Sequence, residues 1–280
     1  MKKIILYIIG IILLAFNLTS CTINSTSDVV VSFYALEELT NSLVENTNIS
    51  VRTLIKGTSE PHDYEPSARD VASLYNASLI IFNGNNLEEF EDSLDNDLKE
   101  KIVYATSDVD SIYVSNTKDP HSFTSVKQLK IMLNTIKESL INKFDNYKDT
   151  IITNYNNYYN ELDKLDIEYA NLFSNLNKDI IVGHEAFNYV ARDYSTNFIS
   201  ICGISEEEPT AKKVEEIVNY IKTNNISVIY GEQFEENETV SSIAEECNIT
   251  VKYLYTLEMM DDSNLSLIEA LNKNIEVLKE

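Results

Sequence analysis

The stretch SARDVASLYNASLIIFNG, residues 67–84, decides the fold class because its hydrophobic period changes along its length. Ser67 followed by Asp70 three positions later is the pattern of a helix capping box. The apolar residues after this pair recur at helical spacing. The run LIIF then predicts a short buried strand that Gly84 ends. The stretch therefore predicts a helix that leads into a buried strand.

Segments of the same two kinds alternate on both sides of this stretch. The upstream sequence DVVVSFYALEELTNSLV begins with β-branched residues and passes into a helical pattern. The other predicted strands lie in ISVRTLIKG, KIVYAT, KDIIVGH, NFISICGIS, ISVIYGE and ITVKYLYTLE, with helical patterns between several of them. Such alternation is typical of parallel α/β sheets, in which ligands collect at loops beyond the strand ends.

The middle of the chain has a different pattern. No glycine or proline occurs over residues 125–176, and apolar residues recur there at spacings of three and four. This predicts two consecutive long helices, the second over residues 146–176; the spacing is not strictly heptad, although a coiled coil is the alternative. The fold class is therefore α/β, with two lobes over residues 28–145 and 177–280, each a mainly parallel sheet flanked by helices, joined by the second long helix.

The first twenty residues are predicted to lie outside this fold. Two lysines precede a short apolar run, which is the pattern of a secretory signal over residues 1–20. A transmembrane anchor is the alternative, but the run is short and polar residues follow at once. LTSC, residues 18–21, is similar to a bacterial lipobox, which predicts cleavage before Cys21 and a diacylglycerol on its thiol. Residues 21–27 would then be a lipidated tether, holding the protein on the outer face of the bacterial cytoplasmic membrane.

The charge of the chain excludes one class of partner. A net charge of −23 argues against nucleic acid, because phosphate contacts need clusters of Lys and Arg. The simplest reading of the charge is a soluble, self-repelling surface, and a monomer is expected.

The chain has only three histidines, and they occupy equivalent places. His62 and His121 each follow an acid–proline pair, and His184 follows the apolar run DIIVG. All three lie in loops beside strand ends or helix starts. Proline fixes its own φ and keeps the preceding acid extended, which would aim the imidazole. Because neutral imidazole is a preferred zinc ligand, the three histidines predict a shared metal site.

A tetrahedral zinc ion needs a fourth donor. Glu258 lies just after the last predicted strand, and Asp261, Asp262 or a water are the alternatives. The two cysteines outside the signal region, Cys202 and Cys247, lack zinc-finger spacing. An exported protein permits a disulfide between them, and two free thiols are the equal alternative.

Several separate motifs resemble one family, the metal-binding lipoproteins of ABC transporters (cluster A-I, or cluster 9, solute-binding proteins). The similarity covers residues 28–280. It rests on SFYALEELT, GTSEPHDYEPSARDVASLYNASLIIFNGNNLEEF, DPHSF, GHEAFNYVARDY, GISEEEPTAKKVEEI, VIYGEQF and YTLE, in the order of the family.

The resemblance implies a metal ligand set and a function. It implies ligands at His62, His121, His184 and Glu258, in a cleft between two lobes bridged by a rigid helix. It also implies capture of Zn²⁺ for import through a membrane permease driven by an ATPase, with no chemistry by the protein itself. Three histidines with a glutamate favour zinc over Mn²⁺ or iron, which remain the alternative cargoes.

One feature departs from the family. Many zinc-binding members carry a histidine-rich loop where this chain reads EDSLDNDLKE. Acidic recruitment of metal by Glu91, Asp92, Asp95 and Asp97 is one reading of that segment, and a solvated helix end is the simpler one.

Two other functions remain as alternatives. A zinc hydrolase could use three histidines and a water, with Glu185 as general base, but no HExxH motif is present. A surface adhesin is the second alternative, although no repeat or aromatic stripe in the sequence favours it.

Overall fold

The computed structural model describes residues 27–280 except 177, 206, 236 and 262–264. The predicted signal peptide and Cys21 lie outside the described residues. Within the described part of the chain, no helix is both long and apolar enough to span a membrane.

The N-terminal lobe is built on a four-stranded parallel sheet in the order β2-β1-β3-β4. Its strands are β1 (Val29–Val31), β2 (Val51–Thr53), β3 (Leu79–Phe82) and β4 (Ile102–Tyr104). Its helices are α1 (Tyr34–Val44), α2 (Ala68–Asn76) and the short α3 (Asn96–Lys99). A two-stranded antiparallel hairpin, β5 (Tyr113–Val114) and β6 (Thr117–Lys118), follows the sheet.

The C-terminal lobe repeats this arrangement. Its strands are β7 (Ile180–Val182), β8 (Phe198–Ser200), β9 (Val228–Glu232) and β10 (Thr250–Leu254), all parallel, in the order β10-β9-β7-β8. Its helices are α6 (Asn188–Tyr194), α7 (Ala211–Asn224), α8 (Glu238–Cys247) and α9 (Leu267–Lys279). In both lobes the first strand therefore pairs with the second and the third, which leaves a ligand-binding crevice at the carboxyl ends of those strands.

Two long helices lie between the lobes in sequence, as the absence of glycine and proline predicts. They are α4 (Val126–Lys143) and α5 (Lys148–Asn175), with a 3₁₀ turn (Asp145–Tyr147) between them. Helix α5 is 28 residues long and packs against α1, α4 and α9, so it contacts elements of both lobes.

One continuous hydrophobic core includes residues of both lobes. Leu36 and Phe82 of the first lobe and Tyr189 and Leu271 of the second belong to the same buried cluster as Leu162 of α5. A second, smaller core lies under α7 and α8. The fold class predicted from the alternation of strands and helices is confirmed.

The segment LEEFEDSL contains a short 3₁₀ helix (Glu89–Ser93). The structure differs from the predicted elements in two respects. The hairpin β5–β6 and the short helix α6 were not predicted. The strands are also shorter than their apolar runs, since ISVRTLIKG contributes only Val51–Thr53 to the sheet.

Candidate metal centre

The three histidines, far apart in sequence, meet in one buried cluster. Their ring nitrogens lie within 4.8 Å of one another. The Nε2 atoms of His62 and His121 are 3.2 Å apart, and the rings of His121 and His184 have centroids 4.6 Å apart. Exposure of the three residues is 8%, 0% and 2%. The structure thus brings together the side chains that the sequence predicted to share a site.

The three histidines reach the cluster from segments that connect the main elements. His62 lies between β2 and α2, His121 begins a 3₁₀ helix (His121–Thr124) after the β5–β6 hairpin, and His184 follows β7. The capping box of Ser67 and Asp70, predicted from the sequence, is present and fixes the start of α2 behind the His62 loop.

Asp119 fixes the ring of His121. The Nδ1 of His121 donates to Oδ1 of Asp119 at 2.8 Å, and the backbone N–H of His121 donates to the same oxygen. The other carboxylate oxygen of Asp119 accepts from Asn188 of the second lobe at 3.1 Å. Because a carboxylate only accepts, Nδ1 of His121 carries a proton and Nε2 presents its lone pair to the cluster when the imidazole is neutral.

A backbone carbonyl fixes the ring of His184 in the same way. Nε2 of His184 donates to the carbonyl of Ile204 at 3.0 Å. Since a carbonyl oxygen cannot donate, this contact assigns the proton to Nε2, and Nδ1 is the nitrogen that faces the carboxylates of the cluster.

Glu258 lies at the centre of the cluster. Its Oε1 is 3.1 Å from Nε2 of His121 and 3.5 Å from Nε2 of His62, and its Oε2 is 3.9 Å from Nδ1 of His184. The residue is 2% exposed, and the ring nitrogens of these histidines are the printed partners of its oxygens among the described residues. A buried carboxylate in this setting requires a cation, and a divalent metal among the three imidazoles would supply it.

The backbone before Glu258 is held in an unusual conformation. Leu257, which is fully buried, has φ of +73°, in the left-handed region that branched side chains disfavour. Such strain persists where the surrounding packing over-determines it, often at functional sites. Leu257 lies between the end of β10 and Glu258.

The charges within the cluster shift the pKa values of its side chains. Burial alone would lower the pKa of His121, but the charge of Glu258 and the bond to Asp119 outweigh it and raise that pKa. Burial would also lower the pKa of His184, but the charges of Glu232 and Glu258 outweigh it and raise that pKa well above its usual value. Burial would raise the pKa of Glu258, but His121 holds it well below the ordinary range. The carboxylate is therefore ionised, and protons compete with metal for the imidazoles.

Two further carboxylates reach the cluster. Glu232, the last residue of β9, places Oε1 3.1 Å from Nδ1 of His184. Glu60 accepts the backbone N–H of His62 at 3.0 Å and lies close to Glu258 and His62. Glu232 was not predicted from the sequence, although it is a polar residue at a strand end, as His184 is. The acids of the two acid–proline–histidine triplets, Glu60 and Asp119, were noted in the sequence, but their hydrogen bonds to the histidines were not predicted.

The alternative donors named from the sequence are placed less favourably. Asp261 is exposed, whereas Glu258 is buried among the histidines, and Asp262 lies outside the described residues. Glu185, considered as a general base, accepts from Asn188 at 3.3 Å.

Cys202 and Cys247, between which a disulfide was considered, are free thiols in the structure. Cys202 is buried after β8 with its Sγ 3.4 Å from the side-chain amide of Asn237, while Cys247 ends α8. Both pack in the smaller core as hydrophobic side chains.

A cavity of about 690 Å³ extends from His62 toward the surface. Glu89, Glu91 and Asp92 line it. Of the four acids considered for metal recruitment, Glu91 and Asp92 thus face this cavity. Asp95 instead accepts from the backbone N–H of Leu98 and caps α3, which is a structural role.

Comparison with known proteins identifies the family. A sequence model described as "ZnuA: Zinc-uptake complex component A periplasmic" matches residues 29–280. The zinc-binding lipoprotein AdcA of Streptococcus pneumoniae is 29% identical over 309 residues, which covers 100% of this chain and 61% of AdcA. The chain therefore spans less than two thirds of the length of that relative.

Two solved structures extend the similarity to the fold. The Zn(II)-bound ZnuA-like domain of S. pneumoniae AdcA superposes with a TM-score of 0.79 at 28% identity, over 91% of this chain and 98% of that one. The laminin-binding protein Lmb of Streptococcus agalactiae, described as bifunctional with adhesin and metal transporting activity, gives 0.82 at 28% identity, over 89% and 96%. The resemblance stated from the sequence motifs is confirmed, and the chain belongs to the ZnuA family of zinc-uptake complex components.

Proposed function

We propose that the protein is the solute-binding component of a zinc importer and that it holds Zn²⁺ between its lobes. The observation that carries this proposal is the convergence of His62, His121 and His184 on the buried carboxylate of Glu258. The first two histidines come from one lobe, and His184 and Glu258 come from the other. A bound ion would therefore link the lobes.

The donor set favours zinc over manganese. Imidazole is a softer ligand than carboxylate, and three imidazoles suit Zn²⁺ better than Mn²⁺. The zinc-binding names of AdcA and of the Zn(II)-bound AdcA domain support the same cargo. A manganese- or iron-binding member of the family is the alternative.

Elemental analysis and calorimetry test the binding proposal. We expect one Zn²⁺ per chain, with a Kd for zinc lower than that for manganese. His121→Ala and His184→Ala are each expected to weaken zinc binding by at least about tenfold. Equal zinc affinity in the unsubstituted protein and in all three single histidine variants would overturn the proposal.

We also propose that the protein delivers the ion to a membrane permease driven by a cytoplasmic ATPase, which the description of the family as a zinc-uptake complex component supports. A deletion strain supplied with the wild-type gene should accumulate ⁶⁵Zn, and one supplied with the His184→Ala gene should not. Normal ⁶⁵Zn uptake in the deletion strain would contradict an importer role.

We also propose that the lipid anchor at Cys21 retains the protein at the membrane. The name "zinc-binding lipoprotein" of AdcA supports this. The Cys21→Ser variant should lose labelling by radioactive palmitate and pass into the medium or soluble fraction, while Cys247→Ser keeps both label and location. Full labelling of the Cys21→Ser variant would exclude this anchor.

The two rival functions have their own tests. A zinc hydrolase needs an open coordination position, which binding of the ion by Glu258 as fourth donor would fill. Zinc-stimulated hydrolysis of a model ester that is lost in His184→Ala would favour an enzyme. The adhesin activity ascribed to Lmb would extend to this chain if immobilised laminin retained it equally with and without zinc.

A further inference from the structure

Glu88 is a buried carboxylate outside the cluster of metal-binding side chains. It is 3% exposed, and its partners Ser32 and Asn83 directly follow β1 and β3 of the first lobe. Its Oε1 accepts the hydroxyl of Ser32 at 2.6 Å and the backbone N–H of Asn83 at 2.7 Å, and its Oε2 accepts the backbone N–H of Gly84 at 3.0 Å. Because each oxygen accepts from a different backbone N–H, an amide in this place would turn a donor against one of them.

Asn83 connects Glu88 to the backbone before His121. The N–H of Asn83 is bound to Glu88, and its carbonyl accepts from both the backbone N–H and the hydroxyl of Thr106, so its backbone is held on both sides. Its fully buried side chain donates from Nδ2 to the carbonyl of Pro120 at 2.9 Å. That carbonyl belongs to the peptide bond that leads into His121. Glu88 therefore reaches this peptide bond through a single intermediate residue.

The bonds of Asp119 to His121 do not attach the histidine to the sheet. Asp119 accepts from the backbone N–H and from Nδ1 of His121, two residues away, so these bonds fix the ring only relative to its own triplet, residues 119–121. Asn83 is 37 positions away in sequence and lies at the end of β3, so its bond ties the triplet to the sheet of the first lobe. Tyr189 of the second lobe holds the carbonyl of Asp119 from the other side.

We propose that Glu88 and Asn83 are positioning residues for His121, which hold its imidazole at the metal centre without contacting the ion. The inference rests on the proposed function, because it assigns a role at the same centre and leaves the four donors unchanged. It also gives a physical role to the motif NGNNLEEF, residues 83–90, in which Asn83 and Glu88 are five positions apart. A displacement of about 1 Å in the support of a ligand is enough to weaken a metal site.

Zinc affinities of single and double variants test this assignment. Glu88→Gln must break at least one of the two backbone bonds, and Asn83→Ala removes the donor to Pro120, so each should raise the Kd for zinc about tenfold or more. Because both act through the same bond to Pro120, the double variant should bind zinc no more weakly than the weaker-binding single variant. Losses that multiply in the double variant would contradict this shared route.

Two controls separate the position of His121 from charge and from stability. Glu89→Gln removes the same charge from the wall of the cavity beside His62, but its side chain is exposed, so the zinc affinity should be unchanged. Asn154→Ala removes a buried hydrogen bond between α5 and the end of α1, so it should lower the melting temperature without raising the Kd for zinc.

Proton NMR of the metal-free protein gives a signal that a general loss of stability would not preserve. The Nδ1–H of His121 is bound to Asp119 within the triplet, so its resonance should persist in Glu88→Gln and Asn83→Ala while zinc binding weakens. Loss of that resonance would show that the ring had left Asp119, and it would refute a role limited to placing the triplet.

Each outcome decides the proposal. Unchanged zinc affinity in either Glu88→Gln or Asn83→Ala would overturn it, as would an equal loss of affinity in Glu89→Gln or Asn154→Ala. If Glu88→Gln does not fold, the zinc affinity and the NMR spectrum of Asn83→Ala decide alone. Failure of the unsubstituted protein to bind zinc would be recognised separately, because it removes the proposed function before any variant is compared.

Discussion

At the scale of single residues, the ligands depend on partners that do not themselves bind the metal. Asp119 is fully buried and uses both oxygens, one for His121 and the other for Asn188. Ile204 supplies only its backbone carbonyl to His184. Outer partners of this kind set the tautomer and direction of metal-binding imidazoles. The geometry of the site therefore extends well beyond the four predicted donors.

Replacement of Asp119 tests this dependence. Asp119→Asn keeps the size of the side chain but removes the charge that holds Nδ1–H of His121, so the zinc affinity should fall about 10- to 100-fold. Competition with a chelating dye measures the change. The matched control is Asp110→Asn, whose side chain is exposed and should leave the affinity unaltered. Wild-type affinity in Asp119→Asn would show that Pro120 and the 3₁₀ helix alone position the ring.

The raised pKa values of His121 and His184 predict a pH dependence of zinc binding. Protonated imidazole cannot ligate, so each proton displaced costs about 1.4 kcal/mol per pH unit below the pKa of its group. Because both pKa values are raised, the loss of affinity should begin above the ordinary value of about 6.5. Glu258 stays ionised throughout this range because its pKa is lowered. Dye competition from pH 8 downward should give a slope of about two log units per pH unit where both titrate; a flat profile down to about pH 6 would contradict it.

At the scale of elements, helix α5 is tied to the first lobe by a buried polar contact. The side-chain amide of Asn154 donates to the carbonyls of Leu43 and Glu45, at 2.9 and 2.8 Å. These carbonyls end helix α1, where backbone acceptors lack partners within the helix. One asparagine thus caps a neighbouring helix and fixes the position of the long helix along it.

Loss of this cap should destabilise the fold. Asn154→Ala leaves two backbone carbonyls without their buried donor, so the free energy of unfolding should fall by about 1–3 kcal/mol. Urea denaturation followed by circular dichroism measures it. Asn156→Ala, on an exposed face of the same helix, should change the free energy by less than about 0.5 kcal/mol. Equal effects of the two substitutions would assign the loss to helix propensity instead.

An element could be predicted from the sequence where its periodic pattern covered many residues or a helix cap was present. Elements with neither feature were not predicted. Residues 125–176 read as two helices because a repeat over many residues averages out local ambiguity. The hairpin β5–β6 has only two residues in each strand, and its turn at Ser115 and Asn116 has positive φ without the glycine that normally marks one. Helix α6 spans seven residues, too few for periodicity to be recognised.

The site could be predicted in part for a related reason. Loops at the carboxyl ends of parallel strands meet, and three histidines in such loops were sufficient to locate the centre. Asp119 and Glu232 were not assigned roles, because acidic residues are abundant in this chain and only tertiary contacts distinguish a buried one. Ile204 acts through its backbone, which leaves no signal in the side-chain sequence.

At the scale of the whole molecule, polar contacts and packing join the two lobes. Tyr189 of α6 donates to the carbonyl of Asp119 at 2.9 Å, and Asp193 accepts from both Ser125 and Gln128 at 2.6 Å. Tyr34 of the first lobe donates to the carbonyl of Leu265 beside α9. Together with the shared core and helix α5, these contacts oppose rotation of one lobe against the other.

Small-angle X-ray scattering tests this rigidity. Because the lobes share a core, the radius of gyration of the metal-free and zinc-loaded protein should differ by less than about 1 Å. Removal of zinc with a chelator provides the metal-free sample from the same preparation. A decrease of several ångströms on loading would show hinged closure, and the contacts of α6 would then have to break in the metal-free state.

A backbone hydrogen bond between Met260 and Gly57 lies beside the site, because Met260 follows Glu258 and Gly57 precedes His62 in the sequence. The N–H of Met260 donates to the carbonyl of Gly57 at 3.1 Å, which joins the loop leading to His62 with the loop that carries Glu258. If the lobes stay together when the ion leaves, opening of the site would require these two loops to separate and this bond to break. Release of the ion to a docked permease would then begin with the loss of a single backbone hydrogen bond beside the site.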